Sequence, residues 1–425
     1  MRRGSAHAGR RTRGAALRSA CGLLLLAGCG DGAGDDGPPG LGGSPAQGTA
    51  RPAPPSPEAQ LETLLDRRAE ALETGRPRAH AATATGPQRA TDRRTARNAR
   101  PLPLRAVALT ATAIDVDGRS ATLAVRSSYA VEGIRGRFEA PRTLRAIRTG
   151  DGWRIRSEAG GRRRHPWELA RFTAQRSEHF TVLAPATLAT GGLTDALEAG
   201  YARMRDVLAS GRLRRRYLVV VAADAAQARH MTTGIRGVAT LAAISDTAVR
   251  EQGIAERVVS VGSQRLLVIW PAFAPLDPDG RRRVVAHELT HAALAGRTSG
   301  RTPAWLIEGI ALYVSGDDRT ADAAALLLGG ATGRALTLAG LSRPDAIGRL
   351  GGDGQTAAYA YSSAAAFYIA GRFGRRRCFA LYDAFNRESL DGPAGARLTA
   401  RAVRRTLGVS LAALERDLRA AIAAS

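Results

Sequence analysis

The sequence predicts an α+β protein. A helix-and-antiparallel-sheet unit comes first, and a small mixed sheet that gives way to helices follows it. Three observations lead there. Short strand-like runs separated by turn residues fill residues 104–157. Two nearly continuous apolar runs, 216–223 (RYLVVVAA) and 264–271 (QRLLVIWP), come next. From there the pattern is helical, and it opens on His287-Glu288-Leu289-Thr290-His291.

At the N-terminus, Arg2, Arg3, Arg10, Arg11, Arg13 and Arg18 precede a short apolar stretch, 20–27, too short to span a bilayer as a helix. The stretch ends in Leu26-Ala27-Gly28-Cys29, which resembles the lipobox of bacterial lipoproteins. The resemblance implies that residues 1–28 are a signal peptide and that Cys29 is lipidated. The mature chain is then held at the outer face of the cell membrane. The alternative is an ordinary secretory signal with an incidental cysteine. Residues 29–56, rich in glycine, proline and alanine, read as a disordered tether. Only Cys378 then remains, so no internal disulfide is expected.

The formal charge is +24 and the pI near 11.4, yet every one of the 62 Lys and Arg residues is arginine. The arginines are spread along the chain, with neither a helix-turn-helix signal nor a glycine-aromatic RNA-binding motif. Nucleic acid is therefore not an expected partner. Adsorption to anionic membrane or cell-wall polymers is the more natural consequence.

Within residues 57–158, a helix-like run over 57–75 carries leucines at 61, 64, 65 and 72. Strands are predicted at 104–117, 120–131, 143–149 and 152–157, with turns at Val116-Asp117-Gly118 and Thr149-Gly150-Asp151-Gly152. One helix followed by antiparallel strands, the last containing Gly152-Trp153-Arg154-Ile155, resembles the cone-shaped α+β fold of nuclear transport factor 2-like domains. No acid-base pair is identifiable there, so the implied role is scaffolding or substrate docking. A boundary falls in the glycine- and arginine-rich stretch 159–166, and the second unit is placed at 166–425. In it, a strand at 179–183, an amphipathic helix at 192–210 and the two apolar runs precede the helical part.

The pentapeptide H-E-x-x-H sits in a run, 284–294, with the composition of a buried helix. Two histidines four apart share a helical face and can reach one metal ion, and the glutamate between them can activate water there. Asp277 is an N-cap candidate before Pro278, and Gly296 stands where a helix-ending glycine would. Thr302-Pro303 begins a second helical run, Ala304-Trp305-Leu306-Ile307-Glu308-Gly309-Ile310-Ala311, which places Glu308 in its second turn. A carboxylate in so apolar a helix is costly to bury unless a positive charge neutralises it. Only seven histidines occur in the chain, and two are here.

HELTH followed by AWLIEGIALYV resembles the gluzincin metallopeptidases, in particular the bacterial peptidase MA-like group. The resemblance implies a zincin-type peptidase domain, Zn2+ held by His287, His291 and Glu308, Glu288 as general base, and a peptide or protein substrate. It also implies a tyrosine that donates to the oxyanion from the start of a later helix. Tyr359 matches that position best, Tyr361 and Tyr313 are rivals, and aromatic packing is the alternative for each. By the same analogy 266–270 is the strand edge that pairs with extended substrate, the alternative being a plain core strand. The metzincin pattern fails, since Leu294 and Arg297 stand where its glycine and third histidine belong. Leu312 occupies the position of the thermolysin-type aspartate. The competing readings are a non-catalytic binding or scaffold lipoprotein with a structural or vestigial zinc site, a pair of solvated histidines, and a basic surface adhesin needing no metal.

Overall fold

The computed structural model describes residues 54–161, 163–208, 213–232, 237–252, 257–328, 336–387, 390 and 392–425, and the backbone of 23–25. Apart from that backbone, the leader, Cys29 and the tether up to residue 53 lie outside the described residues. Strand β1 (Leu23–Leu25) is followed by helices α1 (Pro57–Glu73), α2 (Pro77–Ala82) and α3 (Gly86–Ala99). Ser56 caps α1 by accepting from the Ala59 N–H, Pro57 opens it, and the predicted leucines at 61, 64, 65 and 72 are buried. Helices α2 and α3 are an addition to the predicted single helix. Their sequences hold few large apolar residues, and α3 buries Asp92, Ala96 and Ala99 instead. Burial of Asp92 is offset by Arg68 of α1, 2.5 Å away.

Strands β2 (Leu104–Asp117), β3 (Ser120–Val131), β4 (Phe138–Thr149) and β5 (Gly152–Gly160) form an antiparallel meander in chain order. β4 starts earlier than predicted, because Phe138 pairs with Tyr129 across the ladder. After α4 (Pro166–Leu169) come β6 (Phe172–Arg176), β7 (Phe180–Pro185), α5 (Leu193–Val207), β8 (Tyr217–Ala222) and α6 (Ala225–Met231). Then follow β9 (Ala243–Gln252), β10 (Arg257–Ile269) and α7 (Trp270–Phe273). The second sheet runs β1-β9-β10-β8-β7-β6, with β7, β8 and β10 parallel and β9 antiparallel to β10.

Both faces of this sheet are covered, which explains the lack of polar alternation in RYLVVVAA. Tyr217, Val219 and Val221 face one core with Leu266 and Val268. Leu218, Val220 and Ala222 face another with Leu267 and Ile269. The first core holds the helices that follow. The second holds Leu102, Leu104, Tyr129, Val131 and Phe138 of the N-terminal unit, which therefore packs against the back of the sheet. One expectation is corrected here. Residues 266–269 are not an edge but lie between β9 and β8, and Trp270 begins α7. β9 is the strand beyond them, and its outer side carries the β1 backbone.

The chain continues as α8 (Pro278–Leu294), α9 (Ala304–Ser315), α10 (Thr320–Leu328), α11 (Gly352–Phe373), α12 (Arg375–Ala384), α13 (Ala396–Leu407) and α14 (Leu411–Ala423). The architecture is thus α+β, with antiparallel and mixed sheets first and a helical C-terminal part. No helix among the described residues is long and apolar enough to cross a membrane.

Candidate metal centre

Helix α8 begins as the sequence predicts, with Asp277 accepting from the Gly280 N–H at 2.6 Å and Pro278 at the first position. It ends differently. Gly296 is not a left-handed cap but lies in a 3-10 turn, where a Cβ would meet Val261 at 3.3 Å, so close approach to β10 accounts for the glycine. Two contacts seat α8 against its neighbours. Gln264 of β10 donates to the Ala292 carbonyl at 2.5 Å. At Gly200 of α5, a Cβ would strike Val285, so α5 and α8 meet at near-backbone distance. Helix α9 runs from Ala304 and is closed by Gly316 at φ 76°.

These placements turn His287, His291 and Glu308 to one point. The two Nε2 atoms are 3.0 Å apart, and Glu308 Oε2 lies 3.3 Å from His287 Nε2 and 3.6 Å from His291 Nε2. An ion with tetrahedral bonds of about 2.0–2.2 Å separates its ligand atoms by roughly 3.3–3.6 Å. Glu308 Oε2 is buried and takes no hydrogen bond of ordinary geometry. The two distances to Glu308 match the tetrahedral spacing and the 3.0 Å between the nitrogens is slightly shorter, so the donor set fits a divalent cation after a small outward shift of the imidazoles. Among the described residues this is the one group of three or more His, Cys, Asp or Glu side chains able to hold one.

The electrostatics agree. Burial pushes the Glu308 carboxyl up, but the His291 and His287 imidazoles outweigh it and hold it at about 2. Burial lowers His287, favouring the neutral imidazole a metal requires. Glu288 is fully buried, and burial raises it to about 8. Its Oε2 accepts from the Ser245 main-chain N–H on β9 at 2.8 Å, while Oε1 has no partner. A cation at the adjacent group would favour the ionised form of Glu288.

Leu312, at the thermolysin-type position, is buried in the core. Asp317, just beyond Gly316, is a carboxylate whose charge favours protonated His287, and it pairs with Arg319 at 2.6 Å. The sequence reading missed it, and its only signal was an acidic pair, Asp317-Asp318, directly after the helix-ending glycine. Ser245 was missed too, because a main-chain N–H leaves no mark on residue type.

The three tyrosines separate. Tyr361 donates to Glu415 of α14 at 3.2 Å, with Arg419 over its ring. Tyr313 packs edge-on against Phe367. Tyr359 is buried on α11, the helix that packs on α9, but two turns inside it rather than at its start. Cys378 is a buried core residue.

No family model and no curated protein matches this chain. Two solved structures of an M1 zinc metallopeptidase E323A mutant from Deinococcus radiodurans are similar at TM-scores of 0.32 and 0.30 and identities of 16% and 15%. The second of these is bound to a Tyr-ser-ala substrate. Each alignment covers 75% of this chain and 61% of the other, so this chain spans about three fifths of that protein.

Proposed function

We propose that the protein is a zinc metallopeptidase that hydrolyses peptide bonds, with His287, His291 and Glu308 as the metal ligands and Glu288 as general base. The observation that carries this reading is the convergence of three buried donor atoms at 3.0–3.6 Å, with a fourth buried acid beside them. Zinc in such a site supplies a Lewis acid that acidifies water and polarises a carbonyl oxygen. The chain supplies the rest. Ser245 N–H holds Glu288 Oε2, leaving Oε1 to take a proton from water and pass it to the leaving amine. Tyr359 is proposed as the oxyanion donor.

Two further readings belong to this proposal, the first resting on the sequence and the second on the pairing of β9. Residues 1–28 are removed and Cys29 is lipidated, placing the enzyme on the outer face of the cell membrane. With Leu23–Leu25 gone, β9 becomes the sheet edge, and an extended peptide adds to it beside Glu288. Replacing Cys29 with Ser is expected to release the protein from membranes. An unchanged membrane fraction would remove the anchor.

The test of the site is zinc quantification on the wild type and Glu308→Ala, followed by digestion of a broad peptide library with and without chelator. One zinc per chain, lost with Glu308, together with chelator-sensitive cleavage, is the expected result. Bound zinc without cleavage would leave a structural site and overturn the peptidase.

A further inference from the structure

Ser245 and Asp246 are neighbours on β9 that face opposite ways. The preceding residues set the alternation, with Ala243 in the core on the α8 side and Ile244 in the core shared with the N-terminal unit. Ser245 offers its N–H to Glu288. Asp246 turns to the back of the sheet, buried at 5% exposure between two arginines. Its Oδ2 accepts from Arg265 Nε at 2.9 Å, and its Oδ1 from an Arg163 amino group at 2.8 Å.

Each arginine leads somewhere different. Arg265 is the cross-strand partner of Asp246 on β10, so their bond fixes the register of that step. It also donates to the Met231 carbonyl at 2.6 Å and lies over the Phe138 ring of β4. Arg163 belongs to the segment joining the two units. Its carbonyl accepts from Arg142 of β4 at 3.0 Å, and Arg142 also grips Glu168 with 2.6 and 2.8 Å bonds. Nearby, His165 Nε2 meets Ser127 Oγ of β3 at 2.9 Å. A stretch whose composition suggested a loose boundary is bonded on both sides.

Register matters at this place. The β9–β10 ladder slips between Val261 and Gln264, immediately before the Arg265–Asp246 step. A slip of one residue would turn Asp246 to the α8 face and carry the Ser245 N–H away from Glu288. A buried carboxylate between two guanidinium groups accepts one arrangement only.

We propose that Asp246 is a positioning residue through which the N-terminal unit fixes β9, and thereby Glu288, in working register. The N-terminal unit is then part of the catalytic apparatus. This rests on Glu288 being the base, and the two claims are separable by experiment.

Asp246→Asn and Arg163→Gln are made in the full chain. Amide exchange across 243–252 is followed on metal-free protein, and kcat, KM and zinc content on the loaded enzyme. Both variants are expected to lose protection over β9 and to lower kcat tenfold or more, with KM within twofold and zinc retained. Unchanged β9 protection in both variants overturns the proposal, and so does a uniform loss of protection and zinc, which marks a fold-wide role. Should the wild type cleave nothing, the peptidase reading fails. The exchange measurement then still decides whether Asp246 and Arg163 set the register.

Discussion

Gly309 and Ser362 touch backbone to backbone: a Cβ on the glycine would run into the Ser362 carbonyl oxygen and crowd Ala366 at 3.2 Å. α9 and α11 therefore meet immediately beside Glu308, and the contact sets how deep that ligand sits. Gly309→Ala is expected to cost about 1–3 kcal/mol, because neither backbone can yield without moving a helix. It should weaken zinc retention as well. Gly371 lies in α11 with open space around it, and Gly371→Ala should be neutral or stabilising by up to about 1 kcal/mol. Denaturant midpoints and zinc content of the two variants check the contrast. Equal effects would mean that α9 and α11 are not in close contact.

Glu288→Gln keeps an acceptor for the Ser245 N–H and removes the group that takes the proton. The buried site gives up an acid that burial had already pushed to about 8, so the fold should not suffer. Cleavage at matched zinc occupancy is expected to fall by about 10²–10⁴-fold. Activity equal to the wild type would exclude Glu288 as the base.

His80 and His165 make folding sensitive to acid. Burial, and then the neighbouring Arg68 guanidinium, bring His80 from its ordinary 6.5 to about 4, while its Nδ1 bonds the Arg68 carbonyl at 2.9 Å. His165 is likewise held well below its usual value, by burial and then by Arg142. A group with a lower pKa in the folded state binds fewer protons there than when unfolded. Its share of stability is complete above about 6.5 and drains as pH falls towards 4, up to about 3 kcal/mol for His80. Comparing wild type with His80→Gln at each pH cancels the other titrating groups. The Tm of the wild type should fall more steeply than that of the variant between about pH 6.5 and 4.5. Parallel curves would show that His80 is not buried in its neutral form.

The parts of the fold legible in the sequence are those whose determinants are local. Two ligands four apart on α8 and a third in the next helix need only helical periodicity, and Asp277, Pro278 and Pro303 mark where those helices start; Gly296, read as the stop of α8, sits in a 3-10 turn instead. β8 and β10 were visible as apolar runs because both their faces are buried. β9 was not, since Ser245, Asp246 and Thr247 read as a polar loop until their partners on other elements are known. Helices α2 and α3 escaped because Arg68, far away in sequence, makes burial of Asp92 tolerable. The order of β9 and β10 depends on pairing that neither strand encodes alone, so β10, an interior strand, was read as an edge. Tyr359 was placed at a helix start by the family resemblance, whereas α11 begins two turns earlier, at Gly352.

The N-terminal unit is a layer of the structure and not an appendage. Leu183, Leu218, Val220, Leu267 and Ile269 of the large sheet are buried against Leu102, Leu104, Tyr129 and Phe138 of that unit. Without it this face keeps only the cover of Trp167, Phe172, Ala228, Met231, Val238 and Leu241, and the remainder is exposed as an apolar patch of the kind that drives aggregation. Arg142 would leave with the fragment, so Glu168 would lose its two short bonds, and Asp246 would lose Arg163. A chain of residues 166–425 is therefore expected to aggregate or to bind hydrophobic dyes strongly, although it contains every proposed metal ligand. A chain of 57–425 should unfold in a single calorimetric transition, because one core spans both units. Size-exclusion chromatography of the short chain and calorimetry of the long one check this. A soluble, compact, zinc-loaded 166–425 fragment would show that the back of the sheet is stable uncovered, and the two units would then fold independently.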